Sequence, residues 1–233
     1  RIREWTIERQ EEERDAPIAS GENDVPPIPL TTPSNLSYGD FVTAANCPDV
    51  NVLLLVISSI LFRSGNAHFR LHNFETACRD YSSAQSYQLI RTKALSNNGI
   101  NESLVMEDAK LNGRVKNNMA SALSKRQLYE EARVEYTKAL QIKQSTLEAL
   151  HKTTRQKGDS VKDIDDKNLV SDIASTFHNI GLLRLNCGDA SKAEKAFKQS
   201  LSLRVKKFGL DDLRVSSTLN ALGGLYYQTK RYD

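Results

Sequence analysis

Lys116–Ala139 reads KNNMASALSKRQLYEEARVEYTKA, and the spacing inside this stretch decides the fold. A small residue, Ala120, is followed by Tyr129 nine places on, Ala132 twelve on, Tyr136 sixteen on and Ala139 nineteen on. Apolar and small side chains at three- and four-residue intervals mark one face of a helix, and the polar break around Lys125 divides the stretch into two helices. The pattern recurs. Gly65 is followed at the same offsets by Phe74, Ala77, Tyr81 and Ala84, and Gly181 by Ala190, Ala193, Phe197 and Ser200. Gly223 opens a fourth copy, with Tyr232 nine residues later. Small residues on both helices of a pair let antiparallel partners approach closely. The aromatic on the second helix fills the space over the first, and each pair leaves an apolar face for the next pair to cover.

The surrounding composition suits long helices. All six prolines of the 233 residues (Pro17, Pro26, Pro27, Pro29, Pro33, Pro48) fall within the first 48. Proline costs about 3 kcal/mol inside a helix, so the remainder is free to run. Helices are expected over 52–71, 74–95, 104–126, 130–156, 168–186, 190–207 and 212–230. The small residues stand 55, 61 and 42 residues apart, and the extra length around Ser96–Ile100 and Lys157–Asp166 reads as extended second helices ending in loops. The expected class is all-α, a solenoid over residues 51–233.

Residues 1–50 are different. They carry four Arg against ten Asp or Glu, a net of −6, while 51–233 holds twenty-eight basic against nineteen acidic residues, a net of +9. A short charged helix over Ile2–Arg14 and a linker rich in Pro, Ser, Thr and Asn cannot bury enough apolar surface to offset chain entropy, so the arm is expected to be largely disordered. Ile2, Trp5 and the acidic run could fold back on the basic body as an inhibitory ligand.

Several classes are excluded. Three widely spaced cysteines (Cys47, Cys78, Cys187) without C-x-x-C suit neither a disulfide framework nor a zinc module; they fit a reducing, cytoplasmic setting, with Cys78 and Cys187 buried as small apolar residues. The longest apolar run, Val52–Phe62, is 11 residues interrupted by Ser58 and Ser59, short of the ~18 a membrane span needs, so no membrane is expected. The basic residues of the body are mixed with acidic ones and form no run, which disfavours nucleic acid. His68 and His72 lie four apart on one expected helix, but Phe69 stands where a zinc protease has Glu, and no third ligand follows. Asp163, Asp165 and Asp166 lack the Gly and distal Glu of a calcium loop. No phosphate-binding or nucleophile-elbow motif occurs, so no enzyme, metal or cofactor is expected.

The repeated spacing resembles the tetratricopeptide repeat family over roughly residues 55–233. Phe177-x-x-Ile180-Gly181 and Leu219-x-x-Leu222-Gly223-x-x-Tyr226 resemble the first half of its signature; Tyr129-Glu130-Glu131-Ala132 through Tyr136–Leu140 resembles the second. The terminating proline is absent throughout. The last unit, from Leu201 through Phe208-Gly209 to Leu222, resembles the kinesin light chain variant. The resemblance implies a right-handed superhelix of about three and a half repeats whose first helices line a concave surface, and a chain that reads as cut mid-repeat. It implies an interaction scaffold or adaptor. The alternatives are a motor-cargo adaptor or the regulatory arm of an enzyme whose catalytic domain lies elsewhere.

Carried over position by position, the concave lining includes Arg63, Asn66 and Arg70, then Arg114, Asn117, Asn118 and Lys125, then His178 and Asn179, then Asn220 and Tyr227. Asparagine offers a donor and an acceptor together, so recurring Asn could pair with the N–H and C=O of an extended peptide. Arg63, Arg70, Arg114 and Lys125 bias the first half of the groove toward acidic ligands. Co-chaperone tetratricopeptide domains hold a C-terminal carboxylate with a Lys, two Asn, a Lys and an Arg; Phe62, Ser175 and Asn179 stand at three of those places, so that clamp is incomplete.

Overall fold

The computed structural model describes residues 48–97, 102–157 and 163–231. Among them are seven helices and no strand: α1 (Pro48–Arg70), α2 (Phe74–Asn97), α3 (Glu102–Lys125), α4 (Tyr129–Lys157), α5 (Asp163–Asn186), α6 (Ala190–Phe208) and α7 (Leu213–Gln228). Pro48 opens α1, where its missing N–H costs nothing. The expected arm helix and linker, with Trp5 and Cys47, lie outside the described residues. The extra length of the long repeats is shared between helices: α2 and α4 reach Asn97 and Lys157, and α5 begins at Asp163, five residues before its expected start.

Cross-helix contacts give the register. Ser58 Oγ donates to the Ala84 carbonyl at 3.2 Å and Ser64 Oγ to Asp80 at 2.7 Å, so α1 and α2 run antiparallel. Ser200 Oγ donates to the Ala174 carbonyl at 2.8 Å in the same relation between α6 and α5. First helices stand parallel to one another: Phe62 meets Arg114 and, one turn on, Asn66 meets Asn118, while Arg114 meets Asp172 and Asn117 meets Asn179. The result is an α-solenoid of antiparallel pairs.

The spacing template works as steric logic. A Cβ on Gly65 would lie 2.6 Å from the Tyr81 ring, and one on Gly181 would lie 2.5 Å from the Phe197 ring. Both rings are fully buried, so neither can step aside. Nothing lies within 4 Å of a Cβ at Gly223 or Gly224, so the helix packing expected there is absent among the described residues. The same substitution should therefore have opposite signs. Gly181→Ala is expected to cost about 1–3 kcal/mol through overpacking, and Gly223→Ala to gain about 1 kcal/mol from helix propensity, both read by urea denaturation.

Each first helix ends in the same turn. The Asn73, Leu128, Asp189 and Arg231 amides return to the His68, Leu123, Arg184 and Tyr226 carbonyls at 2.9–3.0 Å. The residue before each has positive φ: His72 at 61°, Gln127 at 63°, Gly188 at 77° and Lys230 at 56°. This is the Schellman closure, normally a glycine position. Three of four sites hold a residue with a Cβ there, a strain of about 1 kcal/mol each. Gln127→Gly should stabilise the fold by about 1 kcal/mol and Gly188→Ala should cost about as much, both visible as shifts in Tm.

Some expectations need correction. His72 lies in this turn, not on α1, and its ring meets Phe74 at 5.7 Å, so it forms no helical pair with His68. Cys78 is buried but Cys187 is exposed, because it occupies the turn after α5. Val50–Arg70, 21 residues, is long and apolar enough by length and composition to cross a membrane, which the short apolar run did not suggest. Its Leu54, Phe62 and Gly65 are nonetheless packed within the helical body, while Val52, Leu53, Val56 and Ile60 are exposed.

Candidate functional site

The asparagines on the first helices meet one another. Asn118 Nδ2 donates to Asn66 Oδ1 at 2.8 Å, Asn117 Nδ2 to Asn118 Oδ1 at 3.1 Å, and Asn179 Nδ2 to Asn117 Oδ1 at 3.4 Å. One continuous amide chain thus crosses α1, α3 and α5. Tyr81 anchors its α1 end from the second helix, donating its hydroxyl to Asn66 Oδ1 at 2.9 Å. Burial pushes the Tyr81 phenol up to about 12, so it remains a neutral donor. Asn117 is buried and its amide is turned into the chain; Asn66, Asn118 and Asn179 are half-buried. Each amide nitrogen carries two protons; Asn118 also faces the Tyr81 hydroxyl, so one donor remains on Asn179 and both remain on Asn66.

The basic candidates divide into two groups. Arg114 stacks on Phe62, 5.4 Å from the ring centre, and its Nε lies 3.9 Å from Asp172. Arg63, Arg70 and Lys125 are exposed, and no carboxylate among the described residues pairs with them. His178 is brought elsewhere: its ring packs on Phe197 at 5.5 Å, and burial holds its imidazole below the usual histidine range. Asn220 and Tyr227 are exposed on α7 and no bond joins them to the amide chain.

Beside the amide chain, toward the start of the first helices, a cavity of about 470 Å³ opens between α1, α3 and α5. Leu55, Leu104, Leu111 and Leu169 supply its apolar lining. Lys110 and Arg114 at its edge face Glu107 at 2.8 Å and Asp172 at 3.9 Å. Among the described residues no cluster of three His, Cys, Asp or Glu is placed to hold a metal ion.

The composition alone does not point to a set of buried polar residues that hold the first helices in place. Gln88, Lys143 and Arg204 lie at one template position, twenty-three residues after Gly65, Ala120 and Gly181, and all three are buried. Lys143 Nζ donates to Thr176 Oγ1 at 2.8 Å and to the Asp172 carbonyl at 3.1 Å. Arg204 repeats this on the next repeat, reaching Thr218 Oγ1 and the Arg214 carbonyl at 2.6 Å each. Each cation therefore brackets a Thr and the carbonyl one turn before it. At the first junction the Thr is replaced by Val115, and both side-chain polar atoms of buried Gln88 lack a hydrogen-bond partner. Gln88→Met removes the orphaned amide at similar volume and should raise stability by about 1–3 kcal/mol in urea titration. At that junction the charge sits one turn along, where Arg91 pairs with Asp108 and its Nε donates to the Asn51 carbonyl at 3.0 Å.

Family models described as tetratricopeptide repeat match residues 114–151 and 172–233. The chain carries tetratricopeptide repeats in both stretches. Among solved structures the array is similar to BtubC (BKLC) from P. vanneervenii, with 18% identity and a TM-score of 0.53. That match covers 84% of this chain and 65% of BtubC, and it bears on the fold alone. The yeast Tom70 also matches, with 18% identity over 84% of this chain and 44% of Tom70, but at a TM-score of 0.18. No curated protein matches the sequence. The tetratricopeptide assignment explains the parallel first helices and the repeated turn as one supersecondary unit used again, and it supports an interaction scaffold.

Proposed function

We propose that the surface shared by α1, α3 and α5 binds an extended segment of a partner protein and does no chemistry of its own. The amide chain Asn66–Asn118–Asn117–Asn179 carries this reading. Its amides are held in place by one another, so their remaining donors are oriented before a ligand arrives, and little side-chain entropy is lost on binding. An extended backbone presents a carbonyl to such donors at regular intervals, whatever its side chains. Arg63, Arg70 and Lys125, which no described carboxylate neutralises, bias the ligand toward acidic character. The free thiols of Cys78 and Cys187 suit a cytoplasmic setting. Kinesin light chain-like adaptor activity would be one instance of this role.

A peptide array probed with the chain tests the reading. Binding should fall at least tenfold with Asn118→Ala and with Asn179→Ala, while thermal melting confirms that both variants stay folded. Peptides bound equally by wild type and both variants would place recognition elsewhere.

A further inference from the structure

The cavity over α3 belongs to the part of the first helices that exceeds the compact repeat. α1, α3 and α5 are 23, 24 and 24 residues long, and the cavity lies in their first halves, while the amide chain crosses their second halves. Helix lengthening has thus added surface to the groove. A volume of about 470 Å³ is within the range of ligand pockets. Its lining leucines come from three successive first helices, so it forms only when those helices stand side by side. Val56 and Val52, on the adjoining wall of α1, expose further apolar surface.

Charge along the groove is unequal. At the cavity, Lys110 and Arg114 already face Glu107 and Asp172. At the far end, Arg70 and Lys125 have no carboxylate partner among the described residues. Bringing a charge to the cavity would break an existing balance, whereas an acidic group at the far end would gain one. Ser59 and Arg114 at the cavity lie eleven residues before Arg70 and Lys125 on their own helices, roughly 16 Å at 1.5 Å per residue. An extended peptide spans that distance in about five residues.

We infer that the groove selects peptides carrying a bulky uncharged apolar side chain, for the cavity, about five residues from an Asp or Glu, for Arg70 and Lys125. The inference rests on the peptide-binding reading above and deepens it by naming the ligand's chemistry. The amide chain between the two subsites holds the intervening backbone without regard to side chains.

The test is selection of displayed random twelve-residue peptides against the full chain, followed by fluorescence anisotropy of labelled selected peptides. The expected pool carries a large apolar residue four to six positions from an acidic one. Ser59→Trp, which fills the cavity from its edge, should weaken these peptides at least tenfold, and so should Leu104→Gln at an exposed lining position. A peptide whose apolar residue is changed to Ala should bind more weakly and no longer sense Ser59→Trp. Arg70→Glu with Lys125→Glu should weaken binding at least tenfold, and a peptide with Lys in place of its acidic residue should recover it. Peptides that need Asn118 and Asn179 but carry no such pattern, or ignore these variants, would overturn the two-subsite inference and leave the groove reading standing. A pool indifferent to Asn118 and Asn179, or no pool at all, would overturn both.

Discussion

Asp108→Ala is expected to lower the free energy of unfolding by about 3–5 kcal/mol, the usual cost of removing one member of a buried ion pair. Asp108 and Arg91 are each only 4% exposed, and Arg91 also holds the Asn51 carbonyl, so the pair ties α1, α2 and α3 together. Without the carboxylate, the nearly buried guanidinium is left charged with no counter-charge beside it. The pair itself need not stabilise. Replacing both, Arg91→Met with Asp108→Leu, should return stability to within about 1 kcal/mol of wild type, because desolvation of two charges offsets most of their attraction. Urea denaturation of the single and double variants decides the matter. A single variant within 1 kcal/mol of wild type would mean that the site is open to solvent.

The second large effect depends on pH. Burial pushes the Lys143 ammonium down to about 8 from its ordinary 10.5. Between those values the unfolded chain holds a proton that the folded chain has lost, so stability rises with pH across the window and is flat below it. The gain approaches 3 kcal/mol, since each pH unit in the window is worth about 1.4 kcal/mol. Tyr81 and Tyr136 act in the opposite sense. Burial raises both phenols to about 12, so they keep protons that the unfolded chain releases above about 10, and stability falls there. A maximum near pH 10 is the expected result. Lys143→Met should abolish the rise between 8 and 10 and leave the fall intact. A wild-type curve without the rise would show that Lys143 keeps its proton through its bonds to Thr176 and the Asp172 carbonyl.

Pairings between small and aromatic residues were readable in the chain because they depend on identity at fixed spacing. Gly65 with Tyr81 and Gly181 with Phe197 are the contacts the template implies. The turns were not readable. His72, Gln127 and Lys230 adopt a glycine-like conformation that their residue types do not announce; only comparison of the four copies, each seven residues past its small residue, reveals the position. The buried polar brackets were hidden for a related reason. Gln88, Lys143 and Arg204 look like solvated positions by residue type, although each stands four residues past Ala84, Ala139 or Ser200 on the buried face, and they become conspicuous only when the repeats are aligned and a polar residue falls at the same place each time. Recurrence of Asn was visible, but not that the amides bond to one another. Adjacent first helices meet with a stagger, Asn66 facing Asn118 and Asn117 facing Asn179, and that stagger is set by helix packing rather than by spacing along the chain. The cavity was equally hidden, because Leu55, Leu111 and Leu169 lie far apart in the chain.

The central claim is that ligand backbone is held by the amide chain. Side-chain amide signals in a ¹H–¹⁵N spectrum, followed as a selected peptide is added, report on it directly. The Nδ2 resonances of Asn66, Asn118 and Asn179 should shift together and saturate with the binding isotherm. Saturable binding that leaves these signals unmoved, with the shifts confined to α2, α4 and α6, would contradict it.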